Sequence, residues 1–590
     1  LVTSVNLGSF FKSGDKYVFG GGSSGLDTET LVNGLVEARS VGKVKIEDKI
    51  TLNTEINTAF SELDTLLASF QLNLNTLRNP PGFSNSSSDI FEYRTATTSI
   101  NNGGTASSYA TVTAGVGAPV GNFKLKINQL AQEKVTVYST AFASRNTAIV
   151  EASGGTTAGT ISAGTISLGT TTLGPVNVAI AENDSLNDVV AKINLVKAQT
   201  GVEASVLKVS DTDFRLVMKS TSSGLDNSFT MTDGGGVFSE LTVDPLASKV
   251  ALNSQFTVDG VPIERSSNQV TDAIESVTMN LTQLTGLAEI TVTVTPDRTS
   301  TRTAIENFVN SYNEIKVFAA KQTLREEGGA AAEDAKLVNN NTLNAIMNRI
   351  DNELTSLVGG ITTGPNSIQA LGIKFTDYEG DAENPPIRNV LEIDNETFDE
   401  ALNGDYDQFK RVFQFTFESD SEDLAIFART NALSVNNFDL EFDFTTDPLN
   451  PTVFAKDIVS GAILDQLDYS SGIVKGRTGT SFEGLEMLYS GSTLANQTIR
   501  VGITQGVADR LYNAVSGVTD ETEGLLTLEV ESRTDENTRL QEEIVDIDAE
   551  IERYRQTLLE QFSRLETAIA QVNQLLSALD AQDQSRYAAG

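Results

Sequence analysis

A multidomain α+β fold is predicted by three features of this 590-residue chain. Both ends carry apolar residues at heptad spacing, which marks coiled-coil terminal helices. Through the middle the apolar period falls to two, which marks antiparallel strands. The helical ends enclose the β middle, so β domains nest within a helical frame, the design of an assembly subunit.

The first helix spans Asp27 to Leu77. Asp27 is a good N-cap, and Glu29 in the first turn complements the helix dipole. Phe60, Leu63, Leu67, Phe70, Leu74 and Leu77 then step by threes and fours, a coiled-coil-like seam. Asn79-Pro80-Pro81-Gly82 stops the helix. From about residue 84 to 295 the pattern is β. Phe123, Leu125 and Ile127 alternate with polar residues, as do Phe256 and Val258, then Ile290, Val292 and Val294. One short helix, SLNDVVAKIN, interrupts them with Ser185 as its cap. GTISAGTISLGT, from Gly159 to Thr170, is a short tandem repeat that reads as a Thr-rich hairpin.

Helix returns after Pro296-Asp297, with Ile305, Phe308, Val309, Tyr312 and Ile315 on one face. Between about 414 and 500 strands return. Asp439, Glu441 and Asp443 there alternate with Phe438, Leu440, Phe442 and Phe444. The last segment is the clearest. Leu540, Ile544, Ile547, Ile551, Tyr554, Leu558, Phe562, Leu565, Ile569, Val572, Leu576 and Leu579 form one heptad seam. An added step of four, from Leu558 to Phe562, breaks the heptad as a stutter, which locally unwinds a supercoil. Forty residues give a rod of about 60 Å. If the two seams pair, the chain ends lie side by side and the β domains form an outgrowth.

Composition narrows the function. There are 42 Lys and Arg against 79 Asp and Glu, a net charge of −37. Phosphate binding needs a positive surface, so nucleic acid and anionic lipid are poor partners. The chain has no His and no Cys, which removes Ser-His-Asp and Cys-His catalysis, His-ligated metals, disulfides and thiolate clusters. No apolar run reaches the roughly 18 residues of a membrane span. The N-terminal stretch has neither an apolar core nor a basic leader, so it does not read as a secretory signal and export needs another route.

The apparent sites are weak. Gly20, Gly22 and Gly25 spell GxGxxG, but no βαβ unit follows, so a Gly-rich arm is the better reading. Glu418, Asp420, Glu422 and Asp423 lack calcium-loop spacing. No carboxylate pair stands out for catalysis. The chain is therefore read as a non-enzyme with no cofactor and no metal.

Several segments in order resemble the flagellar filament cap family, FliD, also called flagellar hook-associated protein type 2. GSSGLDTETLVNGLVEAR is similar to its N-terminal signature and GNFKLKINQLAQEK to its first β segment. SLNDVVAKIN followed by FRLVMKSTSSG is similar to its Leu-and-Ile-Asn motif. FTVDGVPIERSSNQVTDAIESVTMNLTQLT resembles the central signature, with Asp259-Gly260, Arg265 and Asn268 in place. IENFVNSYNEI, LGIKF with VLEIDNETFDEAL, QGVADRLYNAV, and QFSRLETAIAQVNQLLSAL resemble the later segments.

The resemblance implies a coiled-coil stalk (1–45 with 545–590) and a helical leg domain (46–85 with 297–413 and 501–544). It also implies a β head domain (86–134 with 247–296) and an outer β head domain (135–246). The strand-rich block 414–500 exceeds what a compact member needs and reads as an inserted β domain. The resemblance further implies a structural cap at the distal, extracellular tip of the flagellum, promoting insertion and folding of flagellin. It implies a ring-like homo-oligomer, a pentamer by family resemblance. Hook-associated proteins and an export chaperone are the other implied partners, and the flagellar type III channel is the implied route. A hook–filament junction protein, or a tip adhesin binding surface glycans, is the alternative within structural proteins.

Overall fold

The computed structural model describes residues 9–13, 16–20, 27–80, 89–101, 103–381, 383–429, 433, 435–492 and 495–587. Gly22 and Gly25 of the glycine-rich segment, and Pro81-Gly82, lie outside them. The chain divides into two compact units, residues 82–304 and residues 1–81 with 305–590.

The first of these units is β. One lobe pairs a five-stranded antiparallel sheet with a three-stranded one. In the larger sheet the order is Val261–Arg265, Ser254–Val258, Gly121–Gln129, Ile290–Pro296, Arg94–Ile100. In the smaller it is Gln269–Ile274, Val277–Leu281, Ala110–Ala114. Period-two alternation places Leu125, Ile127, Phe256, Ile290, Val292 and Val294 in the shared core. The central signature is structural here. Asp259 and Gly260, with φ of 50° and 82°, make the two-residue turn joining Ser254–Val258 to Val261–Arg265. Arg265 Nε reaches both carboxylate oxygens of Asp272 at 2.9 and 3.1 Å. Asn268 clamps Ala131, accepting from its N–H at 2.7 Å and donating to its carbonyl at 2.9 Å.

The second lobe holds two three-stranded sheets around the helix Leu186–Leu195. Ser185 caps that helix in a reciprocal box with Asp188, as its sequence predicts. The tandem repeat does not fold on itself. Ile161–Ser162 pairs in parallel with Val150–Glu151, while Gly164–Thr170 lies between Val176–Ile180 and Phe229–Asp233. Only Ala163 separates the two strands, and a hairpin needs at least a two-residue loop.

In the other unit, Thr28–Leu77 and Leu525–Tyr587 are long helices of 50 and 63 residues. The second is longer than the seam alone indicates, about 95 Å at 1.5 Å per residue. Helices Arg298–Gln322 and Val507–Thr519 pack near the end of the first, and Asn341–Thr355 packs on Val507–Thr519. Residues 415–505 form an eight-stranded antiparallel sheet. Its two end strands, Phe415–Ser419 and Leu424–Arg429, are consecutive in sequence and lie close together, so the sheet curls back on itself. Phe438, Leu440 and Phe442 point into its core, and Asp439 and Glu441 point out. Of the acidic residues near the rim, Asp420 accepts from the Arg500 amide at 2.8 Å, and Arg500 grips Asp439 at 2.9 and 3.1 Å. Among the described residues no cluster of carboxylates is placed to hold a metal ion, and no helix is long and apolar enough to cross a membrane.

Candidate assembly surface

Asp27 starts the first long helix, accepting from the Thr30 amide at 3.0 Å. The Thr30 hydroxyl and amide hold its carboxyl below the usual range. From there the helix runs antiparallel to Leu525–Tyr587. Charged pairs mark the register: Arg39 with Glu550, Lys43 with Asp548 at 2.7 Å, and Lys49 with Glu536 at 2.6 Å. Asn53 donates to Glu536 at 3.0 Å and to Asn537 at 2.9 Å. These pairs are largely exposed, so they select register more than they add stability. Pairing thus extends inward past 45 and 545. At the far end Val32 packs on Leu558 and Leu559, with Val36, Tyr554 and Phe562 around them. Each such buried aliphatic contributes about 1.5–3 kcal/mol.

The two predicted seams do not pair with each other. Phe60, Leu63, Leu67, Phe70, Leu74 and Leu77 are all buried, but against other elements. Phe70 stacks on Phe308 with ring centroids 5.8 Å apart and meets Tyr312 at 6.4 Å. The reason is register: with Val32 beside Leu558 and Asn57 beside Thr534, Phe60 and Leu63 meet only the first turns of the C-terminal helix, ahead of its predicted seam, and residues 67–77 fall past its start and meet shorter helices.

The C-terminal seam divides at its stutter. Leu540 and Leu558 are buried; Ile544, Ile547, Ile551, Tyr554 and Phe562 are half-buried. Beyond it Ile569 is half-buried, but Leu565, Val572, Leu576 and Leu579 are exposed, as is Leu575. The N-terminal helix ends at Thr28, opposite Phe562, so residues 565–587 overhang it by roughly 35 Å. A hairpin of Ser9–Ser13 and Lys16–Gly20 lies against the long helix, yet these side chains stay about half exposed, 45% at Leu565 and 64% at Leu575.

A second feature, a buried ionic joint, escapes the periodicity. Asp509, on Val507–Thr519, is fully buried. Arg429 Nε reaches its two carboxylate oxygens at 3.0 and 3.2 Å, and Gln505 donates at 2.9 Å. Arg78 Nη1 lies 3.6 Å away and stacks over Tyr512 at 3.4 Å; burial pushes its guanidinium below the ordinary value. Arg429 also covers Phe415 at 3.9 Å and donates to the Asn79 carbonyl. The joint therefore binds the end of the first long helix, the curled sheet and the helix Val507–Thr519. The one cue in the sequence is a carboxylate set among Val507, Ala508 and Leu511.

Residues 251–574 match the family model described as Flagellar hook-associated protein 2 C-terminus, more than half the chain. Residues 24–134 match its N-terminus counterpart, and residues 160–222 match the Flagellin hook IN motif. The chain belongs to the flagellar hook-associated protein 2 family. Flagellar hook-associated protein 2 of Escherichia coli O157:H7 is 30% identical over 371 residues, 59% of this chain and 73% of the relative. The A-type protein of Pseudomonas aeruginosa is 26% identical over 418 residues, 67% of this chain and 79% of the relative. The crystal structure of the flagellar cap protein FliD D1-D2-D3 domains from Escherichia coli is 24% identical, with a TM-score of 0.44 over 60% of this chain and 89% of that one. As a flagellar hook-associated protein 2, the chain is a structural filament cap protein of the distal flagellum.

Proposed function

We propose that several copies form a ring-like homo-oligomer, a pentamer by family resemblance, that holds the filament tip and guides insertion of flagellin. Residues 1–45 with 545–590 act as its stalk, and 46–85 with 297–413 and 501–544 as its leg. Residues 86–134 with 247–296 form the inner head, 135–246 the outer head, and 414–500 an inserted β domain. The chain reaches the exterior through the flagellar type III channel, with an export chaperone before it and hook-associated proteins below it.

The observation that carries this reading is the overhang. Leu565, Val572, Leu575, Leu576 and Leu579 stand exposed on a stretch of helix that the first long helix no longer covers. A row of half-exposed leucines on one helix face marks an association surface. The ring and flagellin beneath it supply the cover. The test is complementation of a strain lacking its cap gene. The chain with Leu576→Asp and Leu579→Asp is exported but builds no filament. Filaments of normal length on that variant overturn the reading.

A further inference from the structure

In this acidic chain one groove carries cations and no carboxylate. It lies on the leg, between Arg298–Gln322, Asn341–Thr355 and the segment 385–388, with a volume of about 430 Å³. Its floor is apolar, with Ala320, Met347 and Ile387, and its charged members are Lys316, Arg325 and Arg388. Lys316 is paired with Asp351 at 3.1 Å. Arg325 and Arg388 are exposed, and among the described residues neither meets a carboxylate. Across Leu324, Pro385 and Pro386 the adjoining hollow is acidic, with Glu333, Asp334 and Glu379. A carboxylate-bearing segment is thus admitted on one side only.

The same unit carries the complementary shape. The strands Thr452–Lys456 and Ile463–Ser470 are joined by a tight loop at 457–462. Asp457 shapes it, accepting from the Val459 and Ser460 amides at 3.2 and 2.7 Å. Four aliphatic side chains stand out from this preformed tip: Ile458, Val459, Ile463 and Leu464, with Val459 89% exposed. From 457 to 474 the sequence holds Asp457, Asp465 and Asp468 and no Lys or Arg; Asp468 is paired with Arg477 at 2.7 Å, which leaves Asp457 and Asp465 as the charge of the tip. Aliphatic residues on an acidic tip are what an aliphatic, basic groove recognises.

We propose that the hairpin tip 457–464 of one copy docks in the leg groove of its neighbour, making a side-to-side contact within the ring. The proposal rests on the ring proposed above and names a contact for it. Hairpin and groove belong to one unit, yet the tip stands free of its own chain's groove, so the occupant is a second copy. The contact is heterologous, head to tail around a circle, the type that closes rings.

The absence of native cysteine gives a clean test. Full-length Thr323→Cys and Val459→Cys chains are mixed, assembled and oxidised. The expected product is a covalent dimer from the mixture and none from either variant alone. Charge gives the second arm. Arg325→Glu with Arg388→Glu raises the concentration needed for assembly, read by light scattering, about tenfold. Adding Val459→Arg to that chain restores it, whereas Val459→Arg alone weakens assembly. Rings that form normally but neither cross-link nor respond to charge overturn the docking and leave the ring standing. An unmodified chain that stays monomeric at every concentration overturns both.

Discussion

Arg429 and Asp509 form a buried ion pair, Nη2 to Oδ1 at 2.9 Å, that fastens the curled sheet to the helix Val507–Thr519. Arg429 ends the strand Leu424–Arg429, and Asp509 sits in the first turn of Val507–Thr519, where the helix dipole favours a carboxylate. Breaking such a pair leaves one charge buried without its counterion. Asp509→Asn strands both Arg429 and Arg78, so it costs about 3–5 kcal/mol. Arg429→Met leaves Arg78 to balance Asp509 and costs less. Urea unfolding of the two variants against the unmodified chain checks the order.

The seam separates stability from assembly. Leu558→Asp, alone or with Ile551→Asp, puts a carboxylate against Val32. It lowers stability by about 2–5 kcal/mol and loosens the paired helices. Val572→Asp with Leu579→Asp touches side chains already exposed and leaves urea unfolding of the monomer within about 0.5 kcal/mol, while assembly is lost. Light scattering beside urea unfolding distinguishes the two classes.

Acid weakens the helix pair. Hydrogen bonds from Lys49 and Asn53 lower the pKa of Glu536, and the bond from Arg39 lowers that of Glu550. A carboxyl depressed on folding stabilises above its unfolded pKa, and that stability is lost as pH falls through the folded value. The loss therefore begins below the ordinary glutamate value of 4.5. Lys43 runs the other way: Asp548 raises it, so its contribution holds below 10.5 and disappears in stronger alkali. Hydrogen exchange of residues 39–53 across pH, corrected for intrinsic rate, should show protection falling at both extremes.

Asn268 is held at both ends by Ala131. Asn268→Ala frees a buried amide and carbonyl, at about 1–3 kcal/mol. Faster hydrogen exchange at Ala131 and Gln132, with the sheet at Ile290–Pro296 unchanged, is the expected pattern.

Local patterns were legible wherever a single period governed burial. Asp27 and Ser185 cap the helices their sequences announce, and Phe438, Leu440 and Phe442 face inward as alternation requires. Which seam meets which was not legible. The stripe from Phe60 to Leu77 shows that a heptad records an apolar face but not its partner, and the helices Val507–Thr519 and Arg298–Gln322 supply much of that partner here. The repeat at 159–170 misleads for a different reason: similar strands need a turn before they can pair, and one residue is too few. The ionic joint of Arg78, Arg429 and Asp509 was invisible because its members come from separate stretches of chain and follow no period.

The overhang has a consequence for how the molecule behaves in a crowd. It extends an existing helix, so winding it needs no fresh nucleus. Alone in dilute solution it gains little from being wound, because its leucines stay about half in water. In the proposed ring the same turns hide oil from water and tighten. The last stretch of the chain thus works, in the proposed ring, as a gauge of company, firmer once neighbours arrive.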